Sequence, residues 1–219
     1  MVLLFYFNGF NSAIPDDWSD NEKLVAVEAF ARDRDFRFLP TTIDYRRAAA
    51  CVEDILARPE LAAPKAGGVR RVIFAGSSMG GWFARVMQLR LAAERPGLPI
   101  EALAFNPAFD LGLHGHMLVG PQVNFVSGDS YEWSAADSAR LAALEASVDY
   151  DAPLPFYVYA DEGDEVIRCE HSARRHARIS RFVAFAGGSH RFEHAREALK
   201  DFEAASGRGF AALEARQTS

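Results

Sequence analysis

Short runs of apolar residues alternate along this chain with stretches in which apolar side chains recur at helical spacing. That alternation predicts a parallel sheet with helices packed on its faces. Val2 to Phe7 is apolar on both faces, as a central parallel strand should be. Ser19-Asp20-Asn21-Glu22 reads as a capping box, and the helix behind it places Leu24, Val27, Phe30 and Ala31 on one side. Phe36 to Ile43 reads as a shorter strand interrupted by Pro40, and Arg46 to Ala57 as a helix with Val52, Ile55 and Leu56 inward. A loop from Pro59 to Gly68 precedes the strand Arg71 to Ala75. The helix after that strand presents Phe83, Val86 and Met87 and stops before Pro96-Gly97. Further strands are expected at Ile100 to Phe105, Phe156 to Ala160 and Phe182 to Ala186. A helical stretch from Glu170 to Arg178 precedes the last of these, and a final helix turns Ala195, Leu199 and Phe202 inward. The pattern predicts one domain over residues 1–219. Positions 107–149 form an irregular insertion, with a helix starting near Ser134.

Composition narrows the setting. A net charge of −6 argues against nucleic acid or an anionic membrane as partner. Cys51 and Cys169 are far apart and form no metal or redox spacing, which fits a reducing compartment. Met1 to Phe7 is apolar but short and without a basic leader, so it reads as a buried strand rather than a signal peptide. The expectation is a cytoplasmic protein.

Chemistry concentrates at Gly76-Ser77-Ser78-Met79-Gly80, a G-x-S-x-G sequence between a strand and a helix. That setting holds a serine hydroxyl out of the backbone on a strained turn, with glycines where side chains would collide. A chain of this length contains the pattern by accident with a probability of roughly 0.07, so its flanks carry part of the weight. A phosphate-cradling loop would end in Lys-Ser/Thr, which is missing here. A serine near its free pKa needs a general base, and the base needs an orienting acid, in chain order serine, acid, histidine. His190, after a predicted strand and two glycines, satisfies that order; His114 and His116 come too early, and His171, His176 and His194 fall in helical patterns. Asp164 is the preferred acid because Gly163 permits a tight turn before it, with Asp161 and Glu165 open as alternatives. The oxyanion formed on attack needs two backbone donors. Met79, next to the nucleophile, supplies one; Phe10, in the loop Asn8-Gly9-Phe10-Asn11-Ser12 after the first strand, supplies the other.

Asn8-Gly9-Phe10-Asn11-Ser12, Gly76-Ser77-Ser78-Met79-Gly80-Gly81, Asn106-Pro107-Ala108, Gly163-Asp164-Glu165-Val166 and Gly187-Gly188-Ser189-His190 occur in this order over almost the whole chain. The series resembles the YqiA/YcfP family of small bacterial α/β-hydrolase esterases, in which the first motif usually opens with histidine where Asn8 stands here. The resemblance implies a single-domain α/β-hydrolase fold with Ser78 as nucleophile, Asp164 as acid and His190 as base. It further implies hydrolysis of carboxylic esters through an acyl-enzyme, with acyl thioesters as the alternative substrate class. A non-catalytic binding protein on the same fold is a more distant alternative. No cofactor or metal is expected: His114-Gly115-His116 lacks further ligands to complete a site. The partner is expected to be a small-molecule acyl ester or thioester substrate, with ester acyl chains of short to medium length. Apolar residues between Phe109 and Trp133 suggest a lid or acyl-binding wall, and Arg168, Arg174, Arg175, Arg178 and Arg181 a basic patch that could meet a phosphate-bearing substrate.

Overall fold

The computed structural model describes residues 1–61 and 68–217, with side chains through residue 206. Positions 62–67 of the loop expected at Pro59 to Gly68 lie outside the described residues. The strands are β1 (Val2–Phe7), β2 (Arg37–Thr41), β3 (Arg71–Ser77), β4 (Ile100–Phe105), β5 (Gly120–Val123), β6 (Ser130–Trp133), β7 (Phe156–Asp161) and β8 (Arg181–Phe185). The α-helices are α1 (Glu22–Arg32), α2 (Ala48–Leu56), α3 (Met79–Glu94), α4 (Leu111–His114), α5 (Ala135–Ala146), α6 (Cys169–His176) and α7 (Ala195–Gln217).

Six strands form one sheet in the order β2-β1-β3-β4-β7-β8, and every neighbouring pair is parallel. Side chains alternate across it. Leu3, Phe5 and Phe7 join a core with Val52 of α2, Trp82, Phe83 and Val86 of α3, and Leu141 of α5. Leu4 and Tyr6 face the other way, onto Leu24, Val27 and Phe30 of α1 and Leu199 and Phe202 of α7. Helices therefore cover both faces, as the sequence pattern predicts. β2 pairs only with β1, so Pro40, opposite Tyr6, sits in an edge strand where a missing N–H is tolerated.

One local expectation is corrected. No capping box forms at Ser19; the cap of α1 is Asn21, whose side chain accepts from Leu24 N–H at 3.1 Å. The Ser134 helix does carry a capping box, with Asp137 reaching back to the Ser134 N–H. The 107–149 stretch is more regular than its sequence suggests. It contains α4, a 3₁₀ turn at Gly115–Leu118, the antiparallel hairpin β5-β6 and α5. Glu145 of α5 ties this stretch to the body: its carboxylate accepts from Trp82 Nε1 at 2.9 Å and from the Leu111 and Gly112 amides at 3.1 and 2.9 Å.

Candidate active site

The order of strands reverses between β1 and β3: the chain first steps outward to β2, then returns to build the other side. Loops leaving the carboxyl ends of those two strands separate there and leave a crevice, the usual ligand site of an open parallel sheet. Phe10 follows β1 and Ser78 follows β3.

Ser78 has φ 56° and ψ −126°, a strained conformation for a residue with a side chain. The turn is sharp because β3 runs into α3 at once, and the glycines on either side allow the close packing. A Cβ on Gly76 would lie 2.2 Å from the Gly80 oxygen, and one on Gly80 would lie 2.3 Å from the Phe7 oxygen. Ser78 Oγ stands 3.2 Å from His190 Nε2, and His190 Nδ1 stands 3.0 and 2.9 Å from the two oxygens of Asp164. The three side chains singled out in the sequence thus meet in one hydrogen-bonded row.

Asp164 is buried, and its Oδ1 also accepts from the Val166 and Ile167 amides at 2.8 and 2.7 Å. These bonds fix the carboxylate against the imidazole. The two alternative acids have other partners. Asp161, the last residue of β7, bonds His194 Nδ1 at 2.8 Å and the Glu193 and Ser189 amides at 2.8 and 3.3 Å, so it shapes the loop that carries His190. Glu165 accepts from the His190 backbone N–H at 3.0 Å.

The two expected oxyanion donors, Phe10 and Met79, line the same cavity as Ser78. Met79 N–H belongs to the first turn of α3, where amides have no carbonyl four residues back within the helix. A Cβ on Gly9 would lie 3.3 Å from Ser78 Cβ, so the Asn8–Ser12 loop passes directly beside the serine. Among the described residues, neither the Phe10 nor the Met79 amide has a protein acceptor. Asn8 holds this loop from within: Nδ2 donates to the Gly9 and Ser12 carbonyls at 2.9 and 2.7 Å, and Oδ1 accepts from Ile43 N–H at 2.7 Å. The Phe10 ring meets buried Trp133 edge-on at 5.0 Å.

Three contributors were given no role in the sequence reading, although Asn11 and Asn106 fall within its motifs. Asn106 has φ 42°; its amide nitrogen donates to Ser189 O at 2.9 Å and its oxygen accepts from Asp161 N–H at 2.8 Å, joining β7 to the histidine loop. Asn11 links the oxyanion loop to the hairpin, through Gln122 Oε1 at 2.7 Å and the Tyr131 hydroxyl. Lys23 Nζ reaches Ser77 Oγ at 2.6 Å. Asn106 had a signal in the Asn-Pro pair ending a strand; Lys23, on a helix distant in sequence, had none.

A cavity of about 650 Å³ opens over Ser78 and His190. Leu111, Met117, Leu118 and Phe125 of the 107–149 stretch wall it, with Val166 and Ile167 opposite. His114 lines it too, while His116 bonds the Leu113 carbonyl at 2.9 Å; among the described residues no group of three or more His, Cys, Asp or Glu side chains is arranged to hold a metal ion. The basic patch is largely neutralised within the chain: Arg175 pairs with Asp110 and Asp151, Arg181 with Asp201, and Arg168 with Glu170. Among the described residues no helix is long and apolar enough to cross a membrane.

Sheet order, helix placement and the serine turn between β3 and α3 define an α/β-hydrolase fold. Solved structures with the same architecture include Est1E from Butyrivibrio proteoclasticus, with a TM-score of 0.65 and 16% identity over 93% of this chain and 87% of that one. Mouse alpha/beta hydrolase domain-containing protein 10 superposes with a TM-score of 0.64 at 16% identity, covering 94% of this chain and 90% of that one. The esterase domain of a Rhodothermus marinus protein gives 0.56 at 15% identity, over 90% and 81%. No curated protein sequence matches significantly. The chain belongs to the uncharacterised protein family UPF0227, whose model matches residues 3–205, and this is the YqiA/YcfP family that the motifs resemble.

Proposed function

We propose that this protein is a serine hydrolase that cleaves carboxylic esters through an acyl-enzyme. The observation that carries this reading is the row Ser78 Oγ, His190 Nε2 and Nδ1, and Asp164, with both hydrogen-bond steps within 3.2 Å. His190 removes the hydroxyl proton as Ser78 Oγ attacks the ester carbonyl. Asp164 holds Nδ1–H and stabilises the imidazolium that forms. The Phe10 and Met79 amides receive the developing oxyanion. As the tetrahedral intermediate collapses, His190 protonates the leaving alcohol, and in the second half it activates the water that releases the acid. No step requires a metal or an organic cofactor. The apolar wall from the 107–149 stretch supports an acyl chain of short to medium length in the cavity.

Ser78→Ala is expected to lower kcat on 4-nitrophenyl butyrate by about 10⁴-fold or more with the fold intact. A fluorophosphonate should label the wild-type protein at Ser78, as read by peptide mass. Retention of most activity in the alanine variant removes the proposal. The same row would serve an acyl thioester, and rates on matched oxygen esters and thioesters separate the two substrate classes.

A further inference from the structure

Ser78 and His190 line two cavities, and cationic Lys23 stands only on the second. The first is the apolar space under the 107–149 stretch. The second, of about 500 Å³, reaches the same two side chains from the α1 side and shares Phe10 and Phe125 with the first. Its own walls include Ser12, Asn21, Lys23, Ser77, Glu165 and Arg191. An ester must direct two groups away from its carbonyl carbon, and two cavities meeting at the nucleophile can house them separately.

Lys23 gives the second cavity its character. Its ammonium donates to Ser77 Oγ at 2.6 Å and to the Arg191 carbonyl at 2.8 Å, both uncharged acceptors. Among the described residues no carboxylate lies within 4.0 Å of it. Two donors fix the group in place, and the third N–H and the charge remain for a ligand. Arg191, exposed on the same wall, has no side-chain partner among the described residues. Opposing them, Glu165 is engaged by the His190 backbone N–H, and Asp161 and Asp164 act on Lys23 only from a greater distance. Burial, the largest influence on Lys23, lowers its pKa to about 8 while Asp161 and Asp164 act to raise it, so it stays an ammonium at neutral pH; Asp20, Glu22 and Glu193 line the adjoining hollow.

We propose that the second cavity is the leaving-group subsite and accepts an alcohol or thiol that carries a carboxylate or phosphate. The proposal rests on the serine hydrolase reading above and adds the charge of the group released. It also accounts for two cationic side chains on one wall of a protein whose net charge is −6. The anion would sit on Lys23 while His190 protonates the departing oxygen or sulfur, and the acyl group would stay on Ser78.

Two matched pairs of butyrate esters test this: 4-nitrophenyl butyrate against 5-butyryloxy-2-nitrobenzoate, and 1-butyrylglycerol against its 3-phosphate. The first pair reads a carboxylate, the second a phosphate. With each kcat/KM referred to spontaneous hydrolysis, the wild-type enzyme is expected to favour the anionic member of at least one pair. Lys23→Met should lower that anionic-to-neutral ratio by about tenfold, and Lys23→Arg should retain most of it. Because the ratio is taken within each variant, any disturbance of the serine through Ser77 cancels. Arg191→Gln, at an exposed position, should lower the ratio by about threefold and keeps the test open should Lys23→Met not fold. Turnover with no charge preference in either pair, or a ratio unchanged in Lys23→Met, overturns the subsite alone. Absence of turnover on all four esters together with no phosphonate labelling of Ser78 overturns the hydrolase reading itself.

Discussion

Asn8 occupies the place where relatives usually carry histidine, and its side chain supplies both a donor and an acceptor there. The amide nitrogen closes the turn through Gly9 and Ser12, while the oxygen takes up the buried Ile43 N–H; the Asn8 carbonyl accepts the Tyr45 hydroxyl at 2.6 Å. Removing the side chain would strand a buried amide, at about 1–3 kcal/mol, and free the loop that aims Phe10 N–H. Asn8→Ala is therefore expected to lower the melting temperature and to reduce kcat about 10- to 100-fold with a smaller effect on KM, since the oxyanion is bound in the transition state. Steady-state kinetics beside a thermal melt would check it. An unchanged kcat would mean the loop holds its shape without this residue.

Single residues also explain what the sequence could and could not disclose. The strained turn of Ser78, the proposed nucleophile, was legible because its glycines and flanking strand are contiguous. The partner of His190 was less so: Asp161, Glu165 and Asp164 crowd one turn, and only the end of β7 within the sheet decides that Asp161 faces His194 while Asp164 faces His190. The cap of α1 was misplaced by two positions because Ser19 and Asn21 are both good caps, and the choice depends on which reaches an open amide.

At the level of elements, β1, β3, β4 and β7 could be read from apolar runs because both their faces are buried. The hairpin β5-β6 could not. Its strands are short, its faces are mostly exposed, and the loop from Asn124 to Asp129 lacks the tight two-residue turn that announces a hairpin. Yet the hairpin loop brings Phe125 to the cavity, and the 3₁₀ turn before it brings Met117, at 80% and 67% exposure, an unusual position for side chains so apolar unless a ligand covers them. Phe125→Ala and Met117→Ala should each lower kcat/KM for octanoyl esters by about three- to tenfold more than for acetyl esters, since each removes several methylene-sized contacts from the far end of a chain. A chain-length profile that matches the wild type would place the acyl group elsewhere.

Across the molecule, buried polar groups occur on both faces of the sheet, Arg85, Gln88 and His176 on the side of α3 and Glu101 on the side of α7. His176 is one with a pH consequence, opposite in sign to that of buried Glu101, whose pKa burial raises to about 7. The His176 ring is fully buried among the rings of Phe109, Tyr150 and Phe156, with Nδ1 donating to Ser172 O at 3.0 Å. Among the described residues its Nε2 has no partner. Burial pushes its pKa down from 6.5 to about 4, so the folded protein holds the neutral ring. The unfolded chain takes up a proton first as pH falls. The associated stability is present above about pH 6.5 and is lost progressively toward pH 4, on the order of 3 kcal/mol in all. Denaturant unfolding of wild type and His176→Phe at a series of pH values should show a shallower acid decline in the variant across that window. Parallel curves would mean that the ring is already protonated, or exposed, in the native state.

Phe125 N–H donates to Asn11 O at 2.7 Å, and the Asn11 side chain meets Gln122 and Tyr131 on both strands of the hairpin. The hairpin that walls the cavity over Ser78 is thereby tethered to the residue after Phe10. On the proposed mechanism, any outward swing of that hairpin would tug the Phe10 amide out of alignment, so a visitor that props the hairpin open would also switch the chemistry off. Bulky chains would be turned over slowly even when they bind well.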